Sequence, residues 1–391
     1  MPLDNTEKDD GNLISDEIDR KCFFTVVIPV QNEAEHLPET LNSFSRQLDS
    51  RNRPLDNNLF EIIFFVNNTT DDSAEIIHRW QKNNLYIKSH LAEKSLPAEH
   101  SNIGYVRRRL MNEAFTRLQE NKFGGGIIAT TDADTQIAEN WIAATIEEIK
   151  NGADAVGGRI LIHPSELKKL DAKCRAFHLR DTSYRLMGAE IEAYLDKSAH
   201  DSLPRHHQHF NGSFAVTTEA FAKAGGVPKV RSLEDVAFYH SLLRADAKFR
   251  HSPSVRVQTS ARSDGRTESG LSTQMNEWTI MGRCGDDYLV ESAQSIERRL
   301  CARKNLREIW KNENDIFQIE EIKKIAHDLL ISDEFLCFEL SVPQPFGSLY
   351  EKVLCEQNRI GEWAKENPLV TVEKAISDLR LMLEKLRKNP L

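Results

Sequence analysis

Two aspartates one residue apart, Asp132 and Asp134, stand directly after the apolar run Ile127-Ile128-Ala129-Thr130-Thr131. Side chains at positions i and i+2 of an extended segment point the same way. Held together at a strand end, two carboxylates repel unless a cation is shared between them and a ligand. Such oxygen donors suit Mg²⁺ or Mn²⁺, with water and phosphate oxygens in the remaining positions. A solvated turn also accounts for the pair, but its place after a buried strand favours chemistry. Asp235, in Leu233-Glu234-Asp235-Val236, is a candidate general base, although for an acidic residue at a helix start taken in isolation a cap is the favoured reading. Arg107-Arg108-Arg109 could line a phosphate pocket, although successive helical positions diverge and a solvated face would absorb at least one. Arg262 and Arg266 either clamp a diphosphate or solvate their loop. The run containing His206, His207 and His209 lacks metal-ligand geometry and is expected at the surface, and His251 is a single further candidate for a third metal ligand. Gly124-Gly125-Gly126 precedes its strand instead of following it, which argues against a dinucleotide-binding loop.

These residues need a scaffold, and the apolar pattern supplies one. Phe23 to Val30 reads as a strand buried on both faces. Gln31-Asn32-Glu33 then leads into a helix through Leu37, Leu41, Phe44 and Leu48. A second strand, Phe60 to Val66, ends in the polar cluster from Asn67 to Ser73, before a helix carrying Ile76, Ile77 and Trp80. A short strand is expected at Leu85-Tyr86-Ile87, a helix from Val106 to Leu118, and a fourth strand from Gly124 to Thr131. A helix at Trp141 to Ile149 and a strand at Ala153 to Ile162 follow. This alternation predicts an α/β sheet with helices on both faces. Ligands of such sheets sit beyond the carboxyl ends of the strands. The polar clusters at 31–33, 67–73 and 132–135 all fall there, so one cleft is expected. Residues 164–210 read as long, helical and charged. Phe249 to Thr259 reads as a strand, and the chain beyond about 271 as helical, with Val372, Ile376, Leu379, Leu383 and Leu386 on one face of a terminal helix.

Composition narrows the class. The chain has 391 residues, 40% hydrophobic and 28% charged, with a net charge of −9. Length predicts about two domains, or one large domain with an appendage. An acidic chain lacks the electrostatic footprint of a duplex-DNA binder, so no nucleic-acid partner is expected. Mean hydropathy is −0.50, and no apolar run approaches the roughly 18 residues of a transmembrane segment. The 6 cysteines form no Cys-x-x-Cys pair and read as free thiols of a reducing compartment. The acidic start, Met1 to Arg20, is not a secretory signal and reads as a flexible tail. The expected location is cytoplasmic, with peripheral membrane association as the variant.

Val26-Val27-Ile28-Pro29-Val30-Gln31-Asn32-Glu33 resembles the opening strand of family-2 glycosyltransferases with the GT-A fold. The resemblance continues in order through a polar cluster after strand two, an arginine-bearing helix, and Thr131-Asp132-Ala133-Asp134 as the DXD motif. Gly157-Gly158-Arg159 after the next strand, Asn211-Gly212-Ser213-Phe214-Ala215-Val216, Gly225-Gly226-Val227-Pro228 and Glu234-Asp235 complete it. It covers roughly residues 22 to 265, and so many short motifs in the right order are hard to obtain by chance. It implies a GT-A-type Rossmann-like mixed sheet over 22–270, after a flexible tail at 1–21 and before a helical region at 271–391. It further implies a metal-dependent inverting glycosyltransferase that moves a sugar from a nucleotide-diphosphate sugar to an acceptor hydroxyl.

By that resemblance, Asp132 and Asp134 hold a divalent cation, Mg²⁺ or Mn²⁺, against the donor diphosphate. Pro29, Glu33, Asn67, Asn68, Arg107, Arg108 and Asp132 border the nucleotide. Asn211, Gly212 and Glu234 border the acceptor and sugar, and Asp235 is the general base. Many members carry an Asp pair after strand two where this chain has Asn67-Asn68. An amide donates and accepts while a carboxylate only accepts, so the donor base is open between uridine and guanosine. The acceptor is open among saccharides, lipid-linked hydroxyls and small molecules. The helical region is expected to form an acceptor-side lid or an oligomerisation element, which would make a homo-oligomer. Two other readings fit the carboxylates. A nucleotidyltransferase would normally carry a Gly-rich basic loop where Gln31-Asn32-Glu33-Ala34 stands, and a non-catalytic nucleotide-sugar-binding protein would have no need of Asp132, Asp134 and Asp235.

Overall fold

β1 (Phe24–Val30) is buried along almost its whole length, because both of its faces are covered. Its alternate residues divide between two cores. Val26, Ile28 and Val30 pack on one side with Phe64, Trp80 and Trp141. Val27 faces the other side with Ile63, Leu110 and Phe214. The computed structural model describes residues 11–121, 125–261, 270–311 and 319–388. The strands that follow are β2 (Phe60–Asn67), β3 (Ser89–Lys94), β4 (Ile127–Thr130), β5 (Thr135–Ile137), β6 (Ala155–Ile162), β7 (Phe214–Thr217) and β8 (Phe249–Thr259). They form one 8-stranded sheet in the order β3-β2-β1-β4-β7-β6-β8-β5. β2 and β4 flank β1 in parallel, whereas β7 runs antiparallel to β4 and β6, so the sheet is mixed. The helices up to residue 244 are α1 (Leu37–Phe44), α2 (Ser73–Asn83), α3 (Ile103–Glu120), α4 (Trp141–Lys150), α5 (Pro164–Lys169), α6 (Ala172–Leu195), α7 (Thr218–Lys223) and α8 (Glu234–Arg244).

One charge interrupts the apolar run of β2. Glu61 is 2% exposed. Arg117 of α3 grips it in a fork, with Nε 2.9 Å from Oε1 and Nη2 2.7 Å from Oε2. His90 and Thr25 complete the cage. Burial alone would raise this carboxyl, but hydrogen bonds and charge from Arg117 and His90 outweigh burial and hold its pKa at about 2. A folded pKa below the unfolded one stabilises the fold above the unfolded value, and that contribution is lost as pH falls through about 4 towards 2. The whole difference is worth on the order of 3 kcal/mol. Replacing the pair by Gln and Met (Glu61→Gln with Arg117→Met) should therefore shrink the drop in urea midpoint between pH 7 and pH 3. An unchanged drop would assign the acid sensitivity to other groups.

The chain divides into two units. One comprises residues 1–170, 208–242 and 247–274, and the other 171–207, 243–246 and 275–391. The second is helical: α6, α9 (Leu271–Cys284), α10 (Ala293–Lys311), α11 (Ile319–Leu329), α12 (Asp333–Ser341), α13 (Phe346–Ile360), α14 (Glu362–Glu366) and α15 (Val372–Lys388), plus the short pair β9 (Leu289–Val290) and β10 (Val370–Thr371). Leu379 and Leu383 of α15 close a core with Ile191, Leu195, Ile296 and Leu300, so the apolar face expected on the terminal helix is the one that packs. That contact is why 171–207 goes with the C-terminal helices and not, as its place in the sequence suggests, with the sheet.

Other expectations shift. Residues 13 and 14 do not fray: their backbone N–H groups donate to Glu113 of α3, and Ile14 is buried. The third strand falls at Ser89–Lys94, after Leu85 and Tyr86, which are exposed. Gly157-Gly158-Arg159 lies inside β6 instead of after it, at a register shift between Gly158 and Arg159. All six cysteines are free, and among the described residues no helix is long and apolar enough to cross a membrane.

Candidate active site

The carboxyl ends of β1, β2 and β4 meet as expected. The Asn32 and Glu33 N–H groups donate to Thr69 and Ser73 hydroxyls, Thr70 donates back to Asn32 Oδ1, and Ala34 donates to Asp71. Thr40 of α1 donates to the Ala133 carbonyl at 2.9 Å, tying the DXD segment to the same loops. Beyond β4, Thr131 Oγ1 donates to the Gly212 carbonyl at 2.8 Å. This bond holds the 3-10 turn Asn211–Ser213 against the aspartates.

Glycine at two positions makes that approach feasible. A Cβ on Gly158 would stand 2.1 Å from Ser213 Oγ, and a Cβ on Gly212 would stand 3.3 Å from Asp132 Oδ2. Gly212 thus keeps that oxygen open. Trp141 Nε1 fixes Ser213 from the other side at 2.9 Å.

Arg107 organises the charges. Its side chain, 3% exposed, donates Nη2 to Asp132 Oδ1 at 2.6 Å, and Nε lies 3.5 Å from Glu234 Oε1. Nη1 donates to Thr130 Oγ1 at 2.5 Å. Burial works against this cation, but Asp132, Glu234 and Asp235 outweigh it and hold its pKa above the ordinary arginine value. Asn211 Nδ2 donates to Glu234 Oε1 at 3.0 Å. Asp235 accepts from the Val236 N–H at 2.8 Å. Burial pushes its carboxyl up, opposed by that N–H, by Arg107 and by the Asn211 N–H. Asp132, 40% exposed at its side chain, is also raised, by burial and by the neighbouring Asp134, with Arg107 opposing. Asp134 accepts from Ser260 Oγ at 2.6 Å.

The three arginines part company. Arg107 meets the carboxylates, Arg108 lies over the Tyr105 ring at 5.7 Å, and Arg109 donates to the Gly11 carbonyl. Pro29 stands beside Phe65 in the β1–β2 register, and Glu33 and Asn67 are buried at the loop bases. Asn68 is occupied elsewhere: its Nδ2 donates to the Leu96 carbonyl and its Oδ1 accepts the Leu96 N–H, with φ 49. Both ends of the amide are thus engaged by the loop, which leaves one N–H and one lone pair for any further partner. His251 is no neighbour of the aspartates. Its backbone pairs with Gly157 of β6, and among the described residues no group of three His, Cys, Asp or Glu side chains brings it together with them. His206 is buried instead of on the surface, and His209 stacks on Tyr239 at 4.0 Å. Arg262 and Arg266 lie outside the described residues. Sequence reasoning missed Thr130, Thr131 and Ser260. The two threonines were legible as polar residues ending a buried strand; Ser260 had no signal, since its partner is 126 residues away.

Residues 25–205 match the sequence pattern of glycosyl transferase family 2. This segment is a family 2 glycosyl transferase domain. The GT-A-type mixed sheet with flanking helices runs beyond it, since β7 and β8 follow residue 205. The undecaprenyl-phosphate 4-deoxy-4-formamido-L-arabinose transferase of Pseudomonas syringae pv. syringae is 29% identical over 138 residues, 34% of this chain and 35% of that protein. The match thus spans about a third of the relative's length. Among solved structures, a mannosyltransferase from Pyrobaculum calidifontis in complex with GDP-Man and Mn²⁺ is 14% identical over 96% of this chain and 89% of its own, with a TM-score of 0.43. Residues 1–349 of S. aureus TarS are 16% identical over 93% and 91%, with a TM-score of 0.40.

Proposed function

We propose that the protein is a metal-dependent inverting glycosyltransferase, moving a sugar from a nucleotide-diphosphate sugar to an acceptor hydroxyl. One observation carries the reading: Arg107 pairs with both Asp132 and Glu234, so the DXD segment within the family 2 match and the Glu-Asp segment that follows it face one another across a single buried cation.

The residues fit a divalent cation of a particular kind. Among the described residues no group of three His, Cys, Asp or Glu side chains converges. A half-exposed Asp132 with Oδ2 left open by Gly212, beside Asp134, suits Mg²⁺ or Mn²⁺, which keep waters and complete their shell with substrate phosphates. Asp132 and Asp134 would hold it. When bound, the cation supplies positive charge beside the diphosphate leaving group. Pro29, Glu33 and Asn67 border the nucleoside, and Asn211, Gly212 and Glu234 border the acceptor and sugar. Asp235 takes the acceptor's hydroxyl proton while that oxygen forms its bond to the anomeric carbon. The bond from that carbon to the diphosphate breaks, its electron pair leaves with the diphosphate, and attack from the opposite face inverts the centre.

A thermal-shift panel of UDP and GDP, with and without Mn²⁺, tests the donor side. Ligand at about 100 times its Kd adds about 2.7 kcal/mol to the folded state. A metal-dependent rise in Tm is expected with one of the two, and its loss in Asp134→Ala. The absence of any metal-dependent shift with either nucleotide would overturn the proposal.

A further inference from the structure

A second concentration of charge lies in the helical unit and has no part in the chemistry above. The last turn of α6 and the second half of α10 enclose a cavity of about 270 Å³, lined by Asp196, Lys197, Lys304, Arg307, Glu308 and Lys311. Four cations face two carboxylates there, in a chain whose net charge is −9. Asp196 is already neutralised: its side chain is 1% exposed and is held by Arg303 at 2.5 Å and by Arg307.

The other basic residues of α10 are matched. Arg298 meets Glu366, Arg299 meets Glu291, Arg303 meets Glu192 and Asp196, and Arg307 meets Asp196. Among the described residues, Lys304 and Lys311 have no hydrogen-bond or ion-pair partner, and both line this one cavity. Their spacing with Arg307 puts all three on one helical face, where like charges repel. The partial negative charge at a helix end favours cations, but only within the last turn. That accounts for Lys311; Lys304 lies about two turns earlier, and Glu308, four residues after it on the same lining, forms no ion pair with it among the described residues and offsets only one of the cavity's positive charges.

We propose that this cavity binds a phosphate-bearing anion, with Lys304, Lys311 and Lys197 as its donors. Ammonium groups suit a phosphate as rotatable point charges, and the volume admits a group the size of pyrophosphate. The source is either a soluble phosphorylated molecule or an anionic lipid headgroup, which share this chemistry. The site is independent of the proposed transfer.

The test uses the full chain in EDTA, so that a metal-dependent diphosphate site is silent. Calorimetric titration with inorganic pyrophosphate should show binding that weakens about tenfold in Lys304→Glu, the worth of one charge-assisted hydrogen bond. Binding should be abolished in the Lys304→Glu/Lys311→Glu double variant, which keeps its fold by circular dichroism. Sedimentation with phosphatidylglycerol vesicles forms the second arm. Lysine-dependent vesicle binding without pyrophosphate binding assigns the site to a headgroup, and lysine-dependent pyrophosphate binding assigns it to a soluble ligand. The proposal fails if neither probe binds, if the double variant binds as the wild type does, or if Asp134→Ala removes the pyrophosphate binding instead.

Discussion

Asp235→Asn is expected to bind the nucleotide-sugar donor as the wild type does and to lose turnover by about 10²–10⁴-fold, the usual contribution of a positioned base. The substitution is conservative where structure is concerned. Asparagine Oδ1 still accepts the Val236 N–H that Asp235 accepts at 2.8 Å, so the start of α8 is unchanged, but an amide cannot take a proton. Donor affinity measured by titration and turnover measured by release of nucleoside diphosphate separate the two effects: a fall in kcat with donor binding intact marks an interaction made in the transition state. The pH profile adds a second readout. Burial raises the Asp235 carboxyl, and only its deprotonated form accepts a proton, so the wild-type rate should fall on the acid side at a pH above the usual carboxylate range. The variant's residual rate should lack that limb. Wild-type turnover in Asp235→Asn would remove the base from the proposed reaction.

The second large effect concerns Arg107, and it is an effect on folding. Removing one member of a buried ion pair leaves the other charge uncompensated, typically at a cost of about 3–5 kcal/mol. Arg107→Met strands Glu234, 6% exposed at its side chain, whereas Asp132 recovers part of its hydration at 40% exposure. The expected cost is therefore about 3 kcal/mol, read as a lower urea midpoint at pH 7. Adding Glu234→Gln to Arg107→Met should recover part of that loss, because the stranded charge is gone and Asn211 can still bond the amide. Neighbours in one network are non-additive in this way. Strict additivity would mean that the 3.5 Å approach of Arg107 to Glu234 carries no energy.

Much of the scaffold was readable because one physical signal dominates it. Strands such as β1 and β2, covered on both faces, must be apolar at nearly every position, so they stand out. β3 did not, because Ser89-His90-Leu91-Ala92-Glu93-Lys94 is an edge strand, paired on one side only with β2, and an edge tolerates polar residues. The apolar Leu85-Tyr86 just before it drew the prediction instead. β5, three residues paired with the end of β8, is too short to carry a pattern. Glu61 shows the opposite failure: a single charge inside an apolar run carries no pattern, and its meaning lies in Arg117, 56 residues away.

The candidate site divides the same way. Residue type and local order were enough to nominate Asp132, Asp134 and Asp235, since two carboxylates at a strand end and an acidic pair at a helix start are local features. They could not say which of three adjacent arginines meets Asp132, because that depends on the rotation of α3 against the sheet: Arg107 turns to Asp132, Arg108 lies over Tyr105, and Arg109 reaches Gly11. They could not say that the Asn68 amide bonds Leu96 while Asn67 ends its strand. By itself, then, the sequence determined the α/β class, the family resemblance and the carboxylates, all consequences of short-range pattern. Only the tertiary structure decided that one cation, Arg107, pairs with both Asp132 and Glu234 and that Ser260 reaches Asp134, because the partners are set by packing between segments that no spacing in the chain connects.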